Sequence, residues 1–309
     1  MGTYIFRRTL QTIPVLIGVA LIAFLLSDLS GSPVRQMMGP HADPAIRKRI
    51  EEHLGLNKPL HERFLNHMNN LLHGDLGLSV VKEGKSVSEM IAESIVVTLR
   101  LTLGAIFLAA TLGVAFGVFS AWRPNSWIDY SSSVFATIGI SFPAFFLGML
   151  LMLVFSVKLG WFPIGGYEPG SLKHLVLPCL TLGLLSTASV SRLTRNCMLE
   201  TMSQEYIRSA RAKGRGNWRV LLGHAFPNAL IPVVTVIGND FAGLLSGAVL
   251  TETVFNIPGI GSVIKDAIFQ RDLPVVMGCC VVFALILVVA NIVIDVLYAF
   301  LDPRIRHGE

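Results

Sequence analysis

Residues 275–301 read VVMGCCVVFALILVVANIVIDVLYAFL, a run in which Asp295 is the only charge. The hydrocarbon core of a bilayer takes about 20 apolar residues per helix. A run of this length crosses it with residues to spare. Working outward, five more runs of this kind occur, at Leu10–Leu29, Ile95–Trp122, Ser133–Val157, Leu175–Val190 and Asn228–Thr253. The run 175–190 is the shortest and most polar, with Pro178, Ser186, Thr187 and Ser189, and Ser191 just beyond it. Small and hydroxyl residues suit a helix packed on other helices rather than on lipid. The whole chain agrees: 52% of its 309 residues are hydrophobic and 15% are charged, against about 25% charged in soluble domains. The expected fold is all-α and integral to the membrane, with about six transmembrane helices.

Orientation follows from the short loops. With the N-terminus inside, Arg7, Arg8, Arg123, the basic loop Arg192–Pro227 and the tail with Arg304 and Arg306 are cytoplasmic. The two short outer loops hold only Lys158, Lys173, Lys265 and Arg271. Excess Lys and Arg on one side marks the cytoplasm, so both termini are placed inside. The net charge of +5 then reflects loop placement and not nucleic-acid binding. Arg7 and Arg8 before an apolar run also raise a signal peptide. The run is long for one and is followed by Gly31 and Pro33 without a clear small-residue cleavage site, so it is read as a retained first helix. Cys179, Cys197, Cys279 and Cys280 form no C-x-x-C pair and read as small apolar residues.

The chain divides into residues 1–29, the N-terminus and first helix; 30–94, a helical extracytoplasmic (periplasmic) insert; and 95–309, a five-helix core with a cytoplasmic loop at 192–227. In the insert, Asp43-Pro44 marks a helix start, followed by Ile46, Ile50 and Leu54 at helical spacing and Gly55 as a stop. A second helix is expected from about Pro59 to His73, with Phe64, Leu65, Met68, Leu71 and Leu72 on its apolar side and Gly74 closing it. In the outer loops, Trp161, Phe162 and Tyr167 fit an interfacial belt or a cap over the outer mouth. Pro258, Gly259 and Gly261 mark a turn before a short helix.

Catalytic motifs are absent. His61-Glu62 lacks the second histidine of a zinc motif, and Gly84-Lys85-Ser86 lacks the earlier glycine of a phosphate loop. The chain is therefore expected to be non-catalytic, with no metal site and no cofactor of its own. Five histidines (His41, His53, His61, His67, His73) and two methionines (Met37, Met38) lie in the insert. A metal relay is one reading; the six-residue spacing of 61, 67 and 73 does not share a helical face and favours solvated histidines. Charges at membrane depth tell more, because each costs about 2.5–3.5 kcal/mol to insert. Asn239 and Asp240 in the fifth run, and Glu252 near its outer end, are candidates for a translocation pathway. For Asp240, a polar partner on a neighbouring helix is the alternative. Asp295, near a membrane end, reads as structural.

The loop 192–227 carries Arg192, Arg195, Arg208, Arg211, Lys213, Arg215 and Arg219. Ser203 is expected to cap a short helix from Gln204 to Lys213, with Glu205 favourable in its first turn and Gly214 ending it. Asn217 is expected to cap a second helix stopped by Pro227. Ile207 and Ala210 share a face, and such a helix suits insertion into a groove of another protein. A basic loop that only sets topology is the plainer reading; the two caps favour a docking element.

From Glu205 the chain reads EYIRSARAKG to Gly214, then HAFPNALIP from His224 to Pro232. This resembles the coupling loop of ABC importer permeases of the dipeptide/oligopeptide/nickel family. On the general motif E-A-A-x-x-x-G-x(9)-I-x-L-P, Ala210, Gly214 and Pro227 match. Arg208, Ser209, His224 and Phe226 depart from it in the manner of the peptide branch. The resemblance extends through Gly74–Ser79, Gly139–Pro143, Leu159–Pro163, Glu252 to Gly259 and Asp302–Arg306, and points to the B-type permease. It implies a multi-pass subunit of the bacterial inner membrane that imports peptides by alternating access. It also implies a second homologous permease, two ATP-binding subunits that hold ATP and Mg2+, an extracytoplasmic solute-binding protein and membrane lipid as partners. Glu205, Tyr206, Ile207, Arg208, Ala210, Arg211, Lys213, Gly214 and Pro227 would transmit force. At Asp240 the family usually has an uncharged polar residue. Nickel, metal chelate or glutathione is the alternative cargo. An ion-coupled secondary transporter is the alternative from a different class, though no internal repeat of the kind expected there is seen.

Overall fold

The computed structural model describes residues 2–29, 57–82 and 84–301. The helix expected at 46–54, His41, His53 and the tail from Asp302 lie outside the described residues. Among those described the chain is helical, with one isolated bridge between Leu78 and Ser86. Five helices are long and apolar enough to cross a membrane. In chain order the elements are α1 (Gly2–Leu29), α2 (Leu60–Leu72), α3 (Val87–Trp122), α4 (Trp127–Ser141), α5 (Ala144–Leu151), a π-helical turn (Met152–Lys158), α6 (Lys173–Ser203), α7 (Glu205–Ala212), α8 (Asn217–Val220), a second π turn (Leu221–Ala225), α9 (Phe226–Val254), α10 (Ile260–Gln270) and α11 (Leu273–Leu301).

Two expectations are corrected here. The third apolar run is not one helix. Phe142 is extended (φ −97°, ψ 136°) and Pro143 precedes α5. Proline lacks the N–H that would continue α4, and its ring pushes the preceding residue out of helical geometry. The fourth run is longer than read: α6 has 31 residues and continues past Val190 to Ser203. Its polar end belongs to the same rod as its apolar part.

The chain forms two compact units. One comprises Thr98–Pro258 and the chain from Ala290; the other comprises Gly2–Val97 and Gly259–Val289. In the first, α6 is the central helix, lined by small residues on both flanks. A Cβ placed on Gly113 would lie 2.8 Å from Val190, one on Gly117 2.5 Å from Thr194, and one on Gly183 2.9 Å from the Ala105 carbonyl. Rising numbers on both helices show that α3 and α6 run parallel. Ser132 Oγ lies 3.2 Å from Ser191 Oγ and Gly139 packs on Ala188, so α4 runs antiparallel to α6. These directions agree with alternating crossings. Close backbone approach through small residues is how helices associate where lipid removes the hydrophobic drive between them.

In the second unit Val87, Met90, Ile91, Ile260, Ala267, Val275 and Cys279 form the core. Helix α2 rests on α1 through Phe24 and Phe64, 5.5 Å between centroids, and the Arg63–Asp28 ion pair at 2.6 Å. Its inward face is Phe64, His67, Met68 and Leu71; Leu65 and Leu72, expected on that face, are exposed. Asp272, buried at the start of α11, accepts hydrogen bonds from Ser79 Oγ and from the amides of Val80 (3.2 Å) and Val81 (3.4 Å).

Candidate functional site

The basic loop is almost wholly helical, and its short helix α7 stands at a corner between two long ones. Gln204, with φ −68° and ψ 150°, is the single residue between α6 and α7. Ser203 does not cap α7, as was expected. It closes α6 instead, donating from Oγ to the Glu200 carbonyl at 2.7 Å, because a one-residue corner leaves it no extended cap position. Asn217 does not cap α8 either; Gly216 occupies that position. Gly214 does end α7: its φ is +76°, a region open to glycine, and its N–H bonds to the Arg211 carbonyl at 2.9 Å.

Pro227 does not stop the second helix. It sits in the first turn of α9, directly after the π turn 221–225. Proline removes the bond to the carbonyl four residues back, and a wider π turn absorbs that vacancy without ending the rod. The chain thus leaves α7 through one tight turn and rises into the membrane as one helical path.

The residues expected to transmit force sort into two faces. Ile207 has no exposed surface and Ala210 is half-buried. Both pack on a cluster of Val118, Ala121, Met198, Val220, Leu221, Ala225 and Ala229. The shared apolar face expected to enter a partner is therefore turned onto the rest of the chain. Glu205, Tyr206, Arg208, Arg211 and Lys213 are exposed on the remaining surface. Glu205 in the first turn and Arg211 in the last both oppose the helix dipole favourably. Trp218 of α8 packs on Trp122 of α3 at 4.3 Å, with the Arg123 guanidinium 4.9 Å over the Trp122 ring.

The pathway candidates separate. Asn239 is exposed on α9, while Asp240 is half-buried near Ser186 of α6. A hydroxyl on a neighbouring helix is compatible with the structural reading of Asp240. Glu252 is fully buried and accepts a hydrogen bond from Thr98 Oγ1 at 2.6 Å. Its side chain has no exposed surface in this structure. Among the described residues no group of three or more His, Cys, Asp or Glu is placed to hold a metal.

Sequence reasoning missed a second polar constellation at the cytoplasmic end of α6. Arg195, read only as a topology-setting charge, makes a two-pronged ion pair with Asp129 of α4: Nε to Oδ1 at 2.5 Å and Nη2 to Oδ2 at 2.7 Å. The carboxylate also accepts from Ser120 Oγ at 2.5 Å and the Asn125 amide at 2.9 Å. The Arg195 guanidinium holds the Asp129 carboxyl far below the usual carboxylate range. One signal was available: Ser126-x-x-Asp129 has the spacing of a helix-capping pair, and Ser126 does cap α4.

Comparison with known proteins covers both parts of the chain. Residues 113–307 match the family described as binding-protein-dependent transport system inner membrane component, and residues 1–102 match the corresponding N-terminal family. The oligopeptide transport system permease protein AppB of Bacillus subtilis (strain 168) is 41% identical, covering 99% of this chain and all of that protein. The glutathione transport system permease protein GsiC of Escherichia coli (strain K12) is 42% identical over the same shares. Among solved structures, the MetNI methionine ABC transporter in an inward-facing conformation aligns with a TM-score of 0.58 at 17% identity, over 69% of this chain and 97% of that one. An amino acid ABC transporter solved with histidines aligns at 0.55 and 14% identity, over 69% of this chain and 94% of that one. At these identities the structural likeness speaks for the fold.

Proposed function

We propose a function from the following premise: the chain belongs to the family of binding-protein-dependent transport system inner membrane components, and is a multi-pass permease subunit of an ABC importer. Its cargo is proposed to be peptides. Support comes from two full-length relatives named for oligopeptides and for glutathione, itself a tripeptide. The nickel reading leaned on Asp240 and the insert histidines. The two relatives above are named for oligopeptides and for glutathione, which favours peptides over it. Membership of an ABC importer family displaces the ion-coupled alternative.

The proposed mechanism is alternating access driven through α7. Two ATP-binding subunits, which would hold ATP and Mg2+, dock beneath this permease and a second, similar one. A solute-binding protein delivers peptide to the outer face. The observation that carries this reading is the two-faced α7. Ile207 locks one face to the permease core, while Tyr206, Arg208, Arg211 and Lys213 stay free for a partner. A helix held this way moves as a rigid body, and its only continuations are α6 and the path into α9. Displacing α7 therefore displaces membrane helices, and the binding protein and ATP shift the equilibrium because they favour different states.

The test is uptake of labelled di- and tripeptides by the complete importer with wild-type chain or Gly214→Val. A β-branched residue at φ +76° distorts the turn that sets the angle of α7. Peptide uptake is expected to fall at least about tenfold, the scale of 1.4 kcal/mol, while ATP hydrolysis and insertion persist. Undiminished coupled uptake by the variant refutes the role of α7. Uptake of nickel chelates in place of peptides refutes the cargo.

A further inference from the structure

We propose that Asp129 and Arg195 form a positioning clamp, which carries displacement of α7 from α6 into α3 and α4. The inference rests on the reading of α7 as the coupling helix. Arg195 lies about two turns before the end of α6, and one residue separates that end from α7. Anything that moves α7 moves this part of α6 first. One carboxylate there gathers four donors from three places: the Arg195 fork from α6, Ser120 Oγ from α3, and the Asn125 amide from the α3–α4 turn. Asp129 is 4% exposed, so the carboxylate end of these bonds is shielded, while the Arg195 side chain keeps partial access to solvent.

The turn itself is shaped around the same group. Asn125 is in the left-handed region at φ +60°. Ser126 Oγ donates to the Arg123 carbonyl at 2.6 Å and accepts from the Asp129 amide. Along the same seam Ser132 and Ser191 meet at 3.2 Å. The polar contacts therefore tie α3, the turn and α4 to α6 at its cytoplasmic end. Apolar packing would serve stability as well, since a buried ion pair is poor value for stability alone. A two-pronged arginine–carboxylate pair adds something packing does not, which is a fixed mutual orientation of its two helices.

The experiment uses the complete importer in proteoliposomes, reading ATP hydrolysis, peptide uptake and subunit co-purification separately. Arg195→Lys keeps the charge and loses the fork. It is expected to insert and assemble, to hydrolyse ATP within about twofold of wild type, and to move about tenfold less peptide per ATP. The exchange Asp129→Arg with Arg195→Asp is expected to recover part of that ratio. A wild-type ratio in Arg195→Lys overturns the clamp. So does a loss of uptake and hydrolysis in step with loss of assembled complex, which is the mark of stability alone. Gly214→Val run alongside separates the two claims. If it uncouples and Arg195→Lys does not, only the clamp falls. If it stays coupled, the reading of α7 falls first.

Discussion

Two buried aspartates, Asp129 and Asp272, solve the same problem in different ways. Each is under 5% exposed and accepts several hydrogen bonds, including one from a serine hydroxyl. Asp272 is held by neutral donors, Ser79 and the amides of Val80 and Val81. Among the described residues it has no ion pair. Asp129 adds a full counter-charge, Arg195, from a separate long helix. Neutral backbone donors come from one short loop, so Asp272 pins that loop to the start of α11. A guanidinium comes from 66 residues away and joins the long helix α6 to the start of α4. The first arrangement fixes a local shape; the second fixes the relation between rods that are proposed to move.

The strongest way to break this comparison is Arg195→Ala. It leaves Asp129 buried and ionised without its counter-charge. Breaking a buried pair from one side costs about 3–5 kcal/mol. The low end applies here, because the Arg195 side chain is 26% exposed and solvent screens part of the interaction. Thermal unfolding of the purified importer is expected to show a large loss. No change would mean that the pair is not formed.

Asp272→Asn is the matching change in the other unit and is expected to cost less, about 1–3 kcal/mol. The amide keeps one acceptor oxygen and loses the other. The effect should be local: faster hydrogen exchange at Val80 and Val81, with α3 and α4 unchanged. Spreading of the effect to α3 and α4 would erase the distinction between a loop pin and an inter-helix clamp.

What could be read from the sequence follows the range of the interaction. The apolar runs, the short helix 60–72, the stop at Gly214 and the helix after Pro258 all depend on neighbours within a turn or two. Local rules reached them. Ser203 and Asn217 were misassigned because capping residues and helix-interior residues share a composition; only the one-residue corner at Gln204 decides between them. Pro227 was misread as a stop, because a π turn that accommodates proline has no sequence signature of its own. The apolar face of α7 was legible as amphipathic but not as inward or outward. That choice depends on Val118 and Ala229, which flank α7 in sequence at a distance. Arg195 looked like any topology-setting arginine until Asp129 stood beside it. The hydrogen-bond partner of Glu252, Thr98, stands 154 residues earlier, beyond the reach of local rules.

The smallest expected effect concerns charge that appears only with pH, at His67 on α2. This ring stacks on Phe24 at 5.8 Å, and burial pushes its pKa below 6.5. The charged groups at the same junction are Arg63 and Asp28, which are paired with each other at 2.6 Å. Arg63 also lies 5.7 Å over the Phe24 ring, so a protonated His67 would share that ring with a second cation. A histidine whose folded pKa is depressed binds fewer protons folded than unfolded between the two values. Stability of the α1–α2 contact is therefore complete above 6.5 and declines as pH falls from there toward the lowered folded pKa. Limited proteolysis between residues 57 and 82 is expected to speed up from pH 7.5 to pH 5.5. His67→Phe should keep the stacking and flatten the profile. Asp129 offers the contrast: its folded pKa lies far below 3.8, so the clamp contributes fully across this range and is lost only in strong acid. A pH profile that moved the α3–α4 turn together with α2 would contradict both assignments at once.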